Sequence, residues 1–164
     1  MKHVLFLCTG NVCRSPMAEG LFREMAKKAG LDATVSSAGL STGDGMEPSD
    51  YSVEVMADMG IDISRQRSIA LTTEQVNQAT HIFGMTEGHA ELVRIYFPEA
   101  LEKTFVLREF ITKDGFESDV SDPIGMQRDE YERTRNLITE AMQSVINFVS
   151  SGDPTRFDKP DEEA

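Results

Sequence analysis

Short apolar runs alternate along this chain with segments of helical period, and that alternation constrains the fold more than any other feature. Runs of strand length cover His3 to Cys8, Ala33 to Ser37, Thr80 to Met85 and Lys103 to Leu107. The first and third are almost continuously apolar, as strands covered on both faces of a parallel sheet are. Between them, Met17, Leu21, Met25 and Ala29 recur every four residues until Gly30, and Tyr51, Val55 and Met59 do the same until Gly60. Leu92, Ile95 and Tyr96 mark a helix that stops before Pro98. Tyr131, Ile138, Ala141, Val145 and Phe148 mark a last one, ending near Gly152. Thr72 with Gln75 has the form of a capping box. The βαβα order predicts an α/β fold, a three-layer sandwich with a central four-stranded parallel sheet flanked by helices. Ligands bind such sheets outside the carboxyl ends of the strands. The loop after the first strand and two long connections, Gly39 to Pro48 and Ile111 to Met126, are therefore the candidate site walls.

The 164 residues suit a single domain, read here as 1–152, followed by an acidic tail over 153–164 that is expected to be disordered. A formal net charge of −12 opposes binding to nucleic-acid backbone or anionic lipid. No apolar run reaches a membrane-spanning length, and the apolar pentamer after Met1-Lys2-His3 is too short for a signal peptide. The expected location is cytoplasmic. Two cysteines make neither a disulfide framework nor a four-ligand zinc site. Both lie in one loop, so reactivity is the question they raise.

That loop reads Cys8-Thr9-Gly10-Asn11-Val12-Cys13-Arg14-Ser15-Pro16 and joins the first strand to the first helix. Ser15 is placed to cap the helix, with Pro16 at its first position. Gly10 allows a tight turn. The helix start offers unpaired N–H groups and the positive end of a dipole, so the loop is an anion nest. Arg14 adds a planar fork that grips two oxygens of a phosphate. The field that attracts phosphate also favours a thiolate at Cys8. A bound dianion above a sulfur nucleophile is equipment for phosphoryl transfer through a phosphocysteine, with no metal or organic cofactor.

The string "CTGNVCRSPMAE" resembles the signature of the low-molecular-weight protein tyrosine phosphatase family. "VSSAG" (35–39), "MTEGH" (85–89) and "DVSDPIG" (119–125) are similar to later parts of that family's chain. The resemblance implies that Cys8 attacks phosphorus in line while Arg14 and the loop from Thr9 to Cys13 bind the equatorial oxygens. It also implies that Asn11 orders the loop and that Ser15 donates to the thiolate. Asp122 then becomes the general acid and base, although Asp122-Pro123 alone would read equally well as a turn. Cys13 is similar to the family's second cysteine, which forms a reversible disulfide with the nucleophile. The implied partner is a phosphorylated protein, with phosphate and similar oxyanions as ligands, and the expected state is monomeric. His3, His81 and His89 are read as structural, since a thiolate held by a nest and Arg14 needs no histidine base.

Two residues bear on the substrate. Phosphotyrosine enzymes of the family usually follow the Asp-Pro with aromatic residues, where this chain has Ile124. The "LTTE", "FVLREFI" and "DPIG" stretches resemble a bacterial branch that includes protein arginine phosphatases. That branch typically carries threonine where Val12 stands. Valine offers only apolar surface, which suits an aryl ring, so phosphotyrosine is the expected substrate and phosphoarginine the alternative. Arsenate reduction generally needs further cysteines, and none follows Cys13. A non-catalytic phosphate-binding or redox-sensing module would not need Asp122.

Overall fold

A computed structural model of the protein describes residues 1–112 and 118–155. The strands are β1 (Lys2–Cys8), β2 (Ala33–Gly39), β3 (His81–Gly84) and β4 (Thr104–Val106). The helices are α1 (Arg14–Ala29), α2 (Asp50–Ala57), α3 (Thr73–Gln78), α4 (Glu87–Tyr96) and α5 (Arg128–Ser151), with a 3-10 turn over Pro98–Lys103. All strand pairs are parallel, in the order β2-β1-β3-β4. The expected four-stranded α/β sandwich is the observed one.

Period-two alternation along β1 builds the two halves of the core. Val4, Phe6 and Cys8 face a cluster with Met17, Leu21, Phe22, Val55, Met56, Met142 and Val145, which belongs to α1, α2 and α5. Leu5 and Leu7 face a smaller cluster with Val76, Ile82, Val93 and Ala100, on the side of α3 and α4. Helix ends follow local chemistry. Gly30 and Gly152 close α1 and α5 in the left-handed conformation, and the Thr72–Gln75 capping box opens α3.

The helix marked by Leu92, Ile95 and Tyr96 is α4; those three side chains are 41, 61 and 72% exposed, while His89, Ala90 and Val93 face inward. The side of the sheet covered by α3 and α4 has a thin apolar layer, which these small residues suffice to close. One expectation is corrected: Ser15 does not cap α1, which begins at Arg14, with Cys13 at the cap position making no side-chain bond to the helix start. The Ser15 hydroxyl is engaged elsewhere. The tail expected over 153–164 lies outside the described residues from 156 onward. Residues 153–155 remain attached to α5, where Asn147 donates to the Pro154 carbonyl at 3.0 Å.

Connections leave β1 towards β2 on one side and reach β3 on the other. The carboxyl end of β1 is thus the point where the strand order reverses, the place where open α/β sheets bind ligands. Cys8 is the last residue of that strand.

Candidate active site

The turn after Cys8 is made by Asn11, whose φ of 54° is the one positive value at a non-glycine among the described residues. Asparagine tolerates that conformation better than most side chains. The turn brings the Asn11 N–H to within 3.2 Å of Cys8 Sγ, to which it donates. The Asn11 side chain then fixes its surroundings. Its Oδ1 accepts from the Ile69 N–H at 3.0 Å, which orients the amide. Its Nδ2 donates to Ser15 Oγ at 2.8 Å and Ser37 Oγ at 2.9 Å. Ser37 in turn donates to the buried carboxylate of Glu19 at 3.2 Å. Because Ser15 Oγ accepts from Asn11, its proton is free to face Cys8 Sγ, 3.0 Å away. The sulfur thus receives two donors, one backbone and one hydroxyl, as a thiolate requires.

Arg14, the first residue of α1, is 4% exposed. Its Nη1 donates to the Val120 carbonyl at 2.9 Å, and its Nη2 lies 3.5 Å from Asp122 Oδ2. Its buried Nε has no partner among the described residues, as in a site built to receive an oxyanion. Asp122 is 39% exposed at its side chain and accepts from the Ile124 N–H at 3.1 Å. Cys8, Gly10, Val12, Cys13, Arg14, Asp122 and Ile124 line one narrow cup of about 20 Å³. Val12 is 8% exposed and Ile124 58%, so one apolar wall is fixed and the other stands at the rim.

Cys13 is buried and free, as is Cys8. Its Sγ lies 2.9 Å from Ser49 Oγ and 3.6 Å from the Tyr131 hydroxyl. Burial pushes the Cys13 thiol up, against the pull of those two hydroxyls. Burial likewise pushes the Tyr131 phenol up to about 12.

His89, read as structural from the sequence, stands directly behind the loop. Its Nδ1 accepts from the Thr86 N–H at 3.2 Å, so Nε2 carries the proton and donates to Thr9 Oγ1 at 3.0 Å. Burial first, and then the charge of Arg14, lower its pKa to about 4. Ser37, Glu19, Ser49 and Tyr131 also escaped the sequence reading as site residues. The available signals were the serines of "VSSAG" and the Thr-x-x-His spacing in "MTEGH". Neither says what those groups touch.

A thiol under a donor-lined cup, closed by a guanidinium and faced by a carboxylate, on a parallel α/β sheet, is an arrangement chemically suited to cysteine-dependent cleavage of phosphate esters. The chain belongs to the low molecular weight phosphotyrosine protein phosphatase family, whose sequence profile matches residues 3–153. It is accordingly a phosphatase, of the hydrolase class. A protein-arginine-phosphatase of Geobacillus stearothermophilus is 38% identical over 86% of this chain and 96% of its own. The low molecular weight protein-tyrosine phosphatase A of Mycobacterium tuberculosis is 30% identical over 90% of this chain and 91% of its own. The crystal structure of the low molecular weight protein tyrosine phosphatase from T. tengcongensis superposes with a TM-score of 0.83. It is 37% identical and is matched over 89% of this chain and 98% of its own. Among the described residues, no helix is long and apolar enough to cross a membrane.

Proposed function

We propose that this phosphatase hydrolyses phosphotyrosine in proteins, and aryl phosphate monoesters generally, through a phosphocysteine at Cys8. The observation that carries the reading is that Cys8, Arg14 and Asp122 line one cup whose walls include the apolar Val12 and Ile124. The substrate's phosphoryl group displaces Asp122 from Arg14 and occupies the nest formed by Thr9 to Arg14. Cys8 attacks phosphorus in line, and the bond to the aryl oxygen breaks as that oxygen takes a proton from Asp122. Arg14 and the loop N–H groups stabilise the charge on the equatorial oxygens. The Ser15 hydroxyl stabilises the sulfur as it departs in the second step. In that step Asp122 takes a proton from water, the water oxygen attacks phosphorus, and the P–S bond breaks to release phosphate and the Cys8 thiolate. The phenol ring rests between Val12 and Ile124.

Phosphoarginine is the second reading, and the specific observation in its favour is the 38% identity to a protein-arginine-phosphatase. The test is kcat/KM on matched phosphotyrosine and phosphoarginine peptides, with Val12→Thr beside the parent. The parent is expected to prefer phosphotyrosine and V12T to shift towards phosphoarginine. A parent that prefers phosphoarginine replaces the first reading with the second. Residues 1–152 are read as one catalytic domain, supported by the span of the family match. A free catalytic thiol suits the reducing cytoplasm.

A further inference from the structure

The loop that carries Asp122 is moored to one turn of helix. Val120 is fully buried; its N–H donates to the Met85 carbonyl at 2.9 Å, and its carbonyl accepts from Arg14. One residue earlier, Asp119 Oδ1 accepts from the Glu87 N–H at 2.7 Å. Glu87 is the first residue of α4, and its N–H is one of the orphan donors every helix start leaves. A carboxylate on such a donor also meets the positive end of the helix dipole. Two residues further on, the His89 N–H is taken by Thr86 Oγ1 at 3.1 Å, and the His89 ring reaches back to Thr9 in the nest loop. One turn of α4 therefore holds both loops of the site. It sits tightly on β3, because a Cβ on Gly84 would lie 2.9 Å from His89 Cβ and 3.0 Å from the Ala90 nitrogen.

We propose that Asp119 is a positioning residue for catalysis. By clamping the acid loop to the N-terminus of α4, it sets the Asp122 carboxyl over the leaving-group oxygen. The proposal rests on Asp122 being the general acid. Asp119 is not among the residues that line the cup, so its removal is expected to act on proton delivery and to spare phosphate capture.

The test is kcat and phosphate inhibition for Asp119→Ala, Asp119→Asn and Asp122→Asn on aryl phosphates whose leaving groups run from activated nitrophenols to unsubstituted phenol. A positioned general acid contributes 10²–10⁴-fold, and a misplaced one keeps part of that. D119A is expected to lose about tenfold in kcat on the phenol substrate and no more than about threefold on the most activated one. D119N keeps an acceptor oxygen and should recover most of the loss. Inhibition by inorganic phosphate should stay within about twofold of the parent. If D122N shows a steep leaving-group dependence while D119A falls equally across the series, or not at all, the proposal is overturned and the acid assignment stands. If D122N itself shows no leaving-group dependence, the acid assignment fails and the role of Asp119 fails with it.

Discussion

Cys8 and Cys13 are five residues apart in one loop, yet their surroundings differ in kind. Cys8 receives the Asn11 N–H and has Ser15 Oγ at 3.0 Å. Cys13 sits among Ser49, Tyr131 and apolar neighbours, where burial keeps its thiol protonated. Two thiols so divided suit an attacking and a resolving role. In the proposed redox cycle, peroxide would oxidise Cys8 to a sulfenic acid, and attack by the Cys13 sulfur would then expel water and close a disulfide. Because the Cys13 thiol is held up, the second step is expected to speed up as pH rises. Intact-mass analysis of peroxide-treated protein should show the loss of two hydrogens, with activity restored by thiol. A product carrying only sulfonic acid at Cys8, with no recovery, would show that Cys13 does not protect it.

At the scale of elements, the site is assembled by one turn of α4 standing between two loops, with a neutral histidine as one of its two ties. His89 ordinarily titrates near 6.5 and here near 4. A folded-state value below the unfolded one means the fold favours neutral His89. That contribution is complete above about pH 6.5 and is lost as pH falls through 4. The shift corresponds to about 3 kcal/mol at most. Chemical denaturation between pH 7 and pH 4 should therefore show a steeper loss of stability for the parent than for His89→Gln. Equal slopes would mean that His89 is not held neutral by its site. Little of this tie was legible in the sequence. Strands and helices declared themselves through period, and Cys8, Arg14 and Asn11 through spacing within one short loop. The contacts of Thr9 with His89 and of Asp119 with Glu87 join segments far apart in the chain, and each residue alone has an ordinary reading as cap or turn. The buried face of α4 is hidden from the sequence for a related reason. A helix closing a thin apolar layer buries Ala90 and Val93, and the larger side chains that draw the eye remain outside.

The molecule as a whole carries a formal net charge of −12, against which it must capture a dianion. The long-range field opposes this, so in the proposed mechanism the affinity is local, supplied by Arg14 and the start of α1 at the switch point of the sheet. The Arg14–Asp122 pair at 3.5 Å keeps the guanidinium matched until substrate arrives. Ionic strength should then affect capture weakly, because the charges that matter are packed within a few ångströms of one another. The proposed mechanism requires a covalent intermediate at the end of β1. Rapid acid quench of the protein during turnover of an aryl phosphate, with Asp122→Ala used to slow the second step, reads this directly. The predicted result is one phosphoryl group, mapped by peptide mass to Cys8 and absent from Cys8→Ser. Turnover without a protein-bound phosphoryl group, or a phosphoryl group on any other residue, would contradict it.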